Sequence, residues 1–161
     1  MVFALPRQLA SLTLQHKKAI YDLVFRTSAE TLLEVARDPK HLGAETGFFS
    51  VLHSWNQKLE LHPHVHCVVP SRWTFCRSLA LDQTTLRFLS SCQGASRVFR
   101  GRLNFHGDLK LFAQPKIFAA WLRPLFRKDW VVYCKRPFGG PEHVLRYLGR
   151  YTHRVAIPTT D

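Results

Sequence analysis

The sequence predicts an α+β fold in which helices pack on an antiparallel sheet. Three observations carry that expectation. Two neighbouring stretches at the centre of the chain alternate side chains with a period of two, and apolar residues recur at helical spacing on either side of them. The 161 residues are 46% hydrophobic and 12% aromatic, which is too apolar for a disordered chain and enough to fill one core.

The elements follow in order. VFAL, residues 2 to 5, reads as a short strand ended by Pro6. A helical stretch runs from about Ser11 to Arg37, with Leu23, Val24, Leu32, Leu33 and Val35 on its apolar side. Thr27 and Glu30 within it resemble a capping box that restarts the helix. DPKHLGAETG is a loop by its Pro and Gly content. FFSVLHSW, 48 to 55, is a strand, and KLELHPHVHCVV, 58 to 69, is its antiparallel neighbour across a two-residue Asn56-Gln57 connection. Residues 71 to 101 are the least legible. LDQTTLRFLSSC there has helical character, and ASRVFRGRLNF leads toward a strand. PKIFAAWLRPLF, 115 to 126, is a helix opened by Pro115 and cut short by Pro124. DWVVYCK, 129 to 135, is a strand by its β-branched and aromatic content. After Gly139-Gly140, Pro141 and Glu142 open a last helix that reaches about Arg154.

Twenty-three Lys and Arg against eleven Asp and Glu leave a net charge of +12. Such a surplus in a small domain points to a polyanionic partner, nucleic acid before membrane. The basic residues are interleaved with aromatics, as in CKRPF with Lys135 and Arg136, and RYLGRYTHR with Arg146, Arg150 and Arg154. A surface that tracks phosphates and stacks bases has that composition. No apolar run approaches the length of a membrane span, and the first residues do not read as a signal peptide. Cys67, Cys76, Cys92 and Cys134 form no CxxC pair, which argues against zinc held by cysteines and for a reduced, cytoplasmic setting.

Two features carry chemistry. In ELHPHVHCVVP, His62, His64 and His66 occupy every second position, so an extended strand puts all three imidazoles on one face and Leu61, Val65 and Cys67 on the other. Two imidazoles at i and i+2 can converge on one divalent ion, with a third ligand from elsewhere. His53 on the partner strand is the first choice for that third ligand, with Glu60 and His62 behind it. A solvated or hydrogen-bonded pair is the plainer reading of an HxH alone. Tyr147 and Tyr151 lie four apart on the last helix and so share a face. An aromatic stripe packed on the sheet is the plainer reading of that pair, but Leu145 and Leu148 already supply apolar contacts, and the three arginines surround the phenols with positive charge. A metal that polarises a phosphodiester, and a phenolate that attacks it, would use both features together.

HPHVHCVVP together with DWVVYCKRPFGGPEHVLRYLGRYTHRVAI resembles the HUH-type two-tyrosine transposases of rolling-circle insertion sequences, relatives of plasmid replication initiators and conjugative relaxases. The resemblance covers residues 1 to 70 and roughly 102 to 157, with the motifs in the family's order. It implies a ferredoxin-like antiparallel sheet, with the HUH motif on a central strand and the tyrosines on a C-terminal helix. By it His64 and His66 are metal ligands, Tyr147 and Tyr151 are paired nucleophiles, Mg²⁺ or Mn²⁺ is the working ion and no small-molecule cofactor is needed. The implied substrate is single-stranded DNA, cut to leave a 5′-phosphotyrosine and a 3′-hydroxyl. Where the family has a glycine-rich loop after the VVP, this chain has Ser71-Arg72-Trp73, and residues 75 to 100 match poorly and look shortened. The family's preceding cysteine-rich zinc-binding segment, and everything beyond about residue 157, have no counterpart. The expectation is therefore a single, truncated catalytic domain over residues 1 to 161. Two other readings stay open: a DNA-binding remnant without catalysis, and a metal-dependent phosphodiesterase that uses water.

Overall fold

The computed structural model describes residues 1–39, 43–56, 58, 60–69, 103–127, 132–133 and 139–152. It is α+β, as the alternation of elements predicts. The chain begins with β1 (Val2–Ala4), and Pro6 leads into a 3-10 turn at Arg7–Leu9. Helix α1 (Ala10–Gln15) and the long α2 (Lys17–Arg37) follow, then β2 (Phe49–Trp55) and β3 (Leu61–Val68). Beyond the next undescribed stretch come a 3-10 turn at Gly107–Ala113, α3 (Pro115–Leu122), β4 (Val132–Tyr133) and α4 (Pro141–Thr152).

The four strands form one antiparallel sheet in the order β2-β3-β1-β4, so β3 is an interior strand. Phe3 of β1 pairs with Val65 of β3 and with Val132 of β4. One face of the sheet is apolar: Phe3, Pro63, Val65 and Cys67 are buried, and α2 packs across β2 and β3. Burial pushes the Cys67 thiol pKa up, with the Ser50 hydroxyl 3.3 Å from its sulfur partly opposing that shift. Cys67 is therefore an inert core residue, as its place in the strand suggests. The other face carries the histidines, and α4 contacts β2.

Helix α2 buries Ile20, Leu23, Val24, Thr27, Ser28, Thr31, Leu32, Val35 and Ala36, a single stripe at helical spacing. The hydroxyls in that stripe turn back on the helix. Thr27 Oγ1 donates to the Leu23 carbonyl at 2.9 Å, and Thr31 Oγ1 to the Thr27 carbonyl at 2.8 Å. Thr27 thus satisfies itself inside an unbroken helix, and the expected restart there does not occur. The break falls instead at His16, whose backbone (φ −131°, ψ 45°) leaves the helical region. A tertiary clamp holds it: the Gln15 side-chain amide donates to the His106 carbonyl at 2.8 Å and accepts the His106 N–H at 3.1 Å. The His16 ring meets Phe105 edge-on, with ring centroids 5.5 Å apart.

Pro115 opens α3, and the helix tightens to a 3-10 turn at Arg123–Arg127 around Pro124, earlier than a helix to residue 126 would run. Phe105 and Phe112 pack at tilted angles against Phe118 and Trp121 of this helix and extend the core. The last helix starts at Pro141, after Gly140 with a φ of +149° that favours glycine. Expected elements over 71–101, and the flanks of the strand over 129–135, lie outside the described residues, as do Cys76, Cys92 and Cys134. Among the described residues no helix is long and apolar enough to cross a membrane.

Candidate metal and nucleophile site

The β2–β3 hairpin builds the first half of the site. Its connection is five residues rather than two, because β2 ends at Trp55 and β3 begins at Leu61. Asn56 closes it. Its side-chain oxygen accepts the backbone N–H groups of Lys58 (2.9 Å) and Glu60 (3.0 Å), its amide donates to the Glu60 carboxylate (2.8 Å), and its own N–H reaches the Glu60 carbonyl (3.0 Å). The side chain replaces a backbone turn, which is a common use of asparagine. From there the register sets His53 opposite His64 and Val51 opposite His66. Between His64 and Leu61, β3 advances three residues while β2 advances two, so β3 carries a bulge. That slip explains why Leu61 is only half-buried while Pro63 takes the core position.

Three imidazoles converge. One ring nitrogen each of His53, His64 and His66 lies within 4.8 Å of the others, and the group could hold a metal ion. His53 Nδ1 and His64 Nε2 are 3.2 Å apart. Two imidazoles bound to one ion at about 2.1 Å would show that separation at an N–metal–N angle of roughly 100°. His64 Nδ1 lies 2.6 Å from the His62 carbonyl, and a carbonyl only accepts, so Nδ1 carries the proton. Nε2 then presents its lone pair to the cluster, the orientation that a ligand histidine needs. Burial lowers the His64 pKa, and the charges that His53 and His62 would carry lower it further, against the opposing hydrogen bond to His62. The imidazole is thereby kept neutral and available as a donor. An all-nitrogen set suits a borderline transition ion better than Mg²⁺, which prefers oxygen.

The last helix builds the second half. Tyr147 is half-buried, and its hydroxyl lies 2.7 Å from His66 Nδ1. The contact joins residues 81 positions apart in the chain. Leu145, expected to supply apolar packing, is instead 69% exposed, and Arg146 is exposed beside it. Of this part of α4, Val144 and Tyr147 turn toward the protein. Tyr151 lies one helical turn further along α4, its side chain outside the described ones, like that of Arg150; Lys135, Arg136 and Arg154 lie outside the described residues altogether. Glu60, a candidate third ligand ranked after His53, is occupied by Asn56 and by an ion pair with Arg7 at 3.5 Å. His62 contributes its carbonyl, while its ring centroid stands 5.4 Å from that of His64.

Sequence reasoning placed Asn56 in the connection but missed that its side chain closes the turn, and it missed the His62 carbonyl. A hairpin asparagine is a signal that could have found the first; no side-chain pattern announces the second.

The histidines also make stability depend on pH. The pKa values of His64 and His16 are both lowered in the fold, chiefly by burial, with His106 adding to the shift of His16. The unfolded chain therefore takes up protons at higher pH than the folded one. Stability is full above the ordinary histidine value of 6.5 and falls as the pH drops toward the lower folded values. Thermal melts followed by circular dichroism from about pH 7.5 to about pH 5.5 should show a falling midpoint; a flat profile would contradict the assignment.

Comparison with known proteins gives the following. The profile of the family Y2_Tnp, described as "Putative transposase", matches residues 47–160. The "Putative transposase y4qJ" of Sinorhizobium fredii (strain NBRC 101917 / NGR234) is 43% identical over 178 residues, which cover 98% of this chain and 43% of that protein. The "Transposase for insertion sequence element IS801" of Pseudomonas savastanoi pv. phaseolicola is 36% identical over 69 residues, 43% of this chain and 16% of that protein. The chain thus spans less than half the length of these curated relatives. No solved structure matches it.

Proposed function

The chain belongs to the Y2_Tnp family of transposases, and from that premise we propose that it carries the catalytic centre for nicking and rejoining single-stranded DNA through tyrosine. One observation carries the reading: the Tyr147 hydroxyl sits 2.7 Å from a histidine of the three-imidazole cluster. That contact supports the reading, because phosphoryl transfer to a side chain needs a phenol oxygen beside a cation site. The strand order β2-β3-β1-β4, with α1 and the long α2 between β1 and β2 and α3 between β3 and β4, supports the ferredoxin-like sheet that the resemblance implies.

In this reading His53, His64 and His66 would hold a divalent ion, Mn²⁺ before Mg²⁺ because all three ligands are nitrogens, and when bound it would polarise the scissile phosphodiester as a Lewis acid. The Tyr147 oxygen attacks phosphorus, its proton passing to solvent. The new bond from tyrosine to phosphorus forms as the bond from phosphorus to the 3′ oxygen breaks. The departing oxygen takes up a proton, leaving a 3′-hydroxyl and a 5′-phosphotyrosine. Attack of a 3′-hydroxyl on that linkage reverses the step and joins strands. Tyr151 offers a second phenol for a second link. The net charge of +12 supplies the sequence-independent part of DNA binding, with exposed Arg146 on the tyrosine helix as one contributor. The test is incubation of the chain with labelled single-stranded DNA and Mn²⁺, followed by denaturing electrophoresis. A label that migrates with the protein and disappears on protease treatment is the expected result.

A further inference from the structure

The edge strand of the sheet displays two large aromatics that the core does not use. Phe49 is 70% exposed and Trp55 is 41% exposed, at the two ends of β2. Pairing of Phe49 with Val68, Val51 with His66 and His53 with His64 sets the odd-numbered residues of β2 on the histidine face. The bulge beyond His53 lies on β3, so β2 keeps its alternation, and Trp55 stays on the same face as His53.

We propose that Phe49 and Trp55 are stacking platforms for nucleobases of single-stranded DNA, one on each side of the phosphate held at His53. The inference rests on the DNA reading above and adds to it the residues that meet the bases. At the rise of an extended strand, Trp55 lies about 7 Å from His53 and Phe49 about 13 Å on the other side. An imidazole ligand thus separates the two rings. That pattern differs from the contiguous apolar patch of a protein-docking surface. It suits a polymer in which flat apolar faces alternate with anionic linkages. Positive charge accompanies the rings: Lys58 is exposed in the turn that follows Trp55, and Arg146 is exposed on the helix packed over β2. Phe49 stands mostly in solvent, so its truncation should cost the fold little, whereas Trp55 is more than half covered and needs the Trp55→Phe control.

The experiment measures affinity for a labelled single-stranded oligonucleotide by fluorescence anisotropy, with EDTA present so that binding is read without chemistry. Phe49→Ala and Trp55→Ala should each weaken binding by roughly 5- to 150-fold, the range of 1–3 kcal/mol per stacked base. The salt dependence of log Kd should keep its slope, because no phosphate contact is removed. Trp55→Phe should bind nearly as well as wild type, since a phenyl ring also stacks; that variant separates stacking from damage to the fold. The same oligonucleotide as a duplex should bind all variants alike, its bases being stacked already. Unchanged single-strand affinity in both alanine variants overturns the proposal, as does equal loss on duplex. A change of oligomeric state with unchanged DNA affinity assigns the rings to a protein interface instead. If wild type binds no single-stranded DNA, the DNA reading itself fails and this inference falls with it.

Discussion

Replacing His64 and His66 together by alanine should abolish Mn²⁺-dependent formation of the covalent DNA adduct and leave single-stranded DNA binding within a few-fold of wild type. Two of the three converging nitrogens disappear, and His53 alone cannot fix an ion. Loss of a single preorganised electrostatic stabiliser costs about 10²–10³ in rate, and the double substitution should cost at least that. Binding should survive because phosphate contacts come from basic residues elsewhere on a chain of net charge +12. His66 is 5% exposed, so its truncation opens a cavity, and the single His64→Ala variant at a half-buried position guards against an effect of misfolding. Titration calorimetry with Mn²⁺ gives a second readout, independent of turnover: wild type should show saturable binding that both variants lose. Parallel loss of metal binding and DNA binding would instead mean that the histidines support the surface rather than the chemistry.

The same cluster shows why part of the site could be read from sequence. A strand period of two is a strong constraint, so HPHVH fixes the shared face of His64 and His66 without any tertiary knowledge. The expected hairpin places His53 on the right face but not in the right register: a two-residue connection would set it opposite Glu60, whereas the structure pairs it with His64, four residues further along β3. The longer turn closed by Asn56 and the bulge on β3 together make that shift, and because it is an even number of residues His53 keeps the face of the other imidazoles. What the sequence did not show depends on contacts between distant segments. The break at His16 carries no glycine or proline and is held by Gln15 on His106, 91 residues away. Thr27 has the sequence context of a cap, but a buried hydroxyl on a long amphipathic helix is satisfied more cheaply by the preceding turn. The tyrosine pair shows the same limit. Spacing gives both phenols one face of α4, whereas only the packed structure brings the Tyr147 hydroxyl to His66.

The Tyr147 contact sets the expected behaviour of the tyrosine variants. Phenylalanine at 147 or 151 removes one oxygen and keeps the ring, so the ring's own contacts are retained and the candidate nucleophile alone is lost. The adduct should vanish only when both are changed. Tyr147→Phe should lower adduct formation at least as much as Tyr151→Phe, because the Tyr147 hydroxyl lies 2.7 Å from His66 of the imidazole cluster. Residual adduct in Tyr147→Phe, mapped by mass spectrometry to the peptide bearing Tyr151, would show that the second phenol can attack in its place. Complete loss in the single variant would leave one acting phenol, with Tyr151 a packing residue. Cleavage that persists without any adduct in the double variant would point to activated water and a phosphodiesterase. Wild-type chain that forms no adduct, yet binds DNA with a steep fall in affinity as salt rises, would retain only the electrostatic half of the function. The separation works because covalent chemistry needs the phenol oxygen beside the cation site, whereas attraction to a polyanion needs only the positive surface.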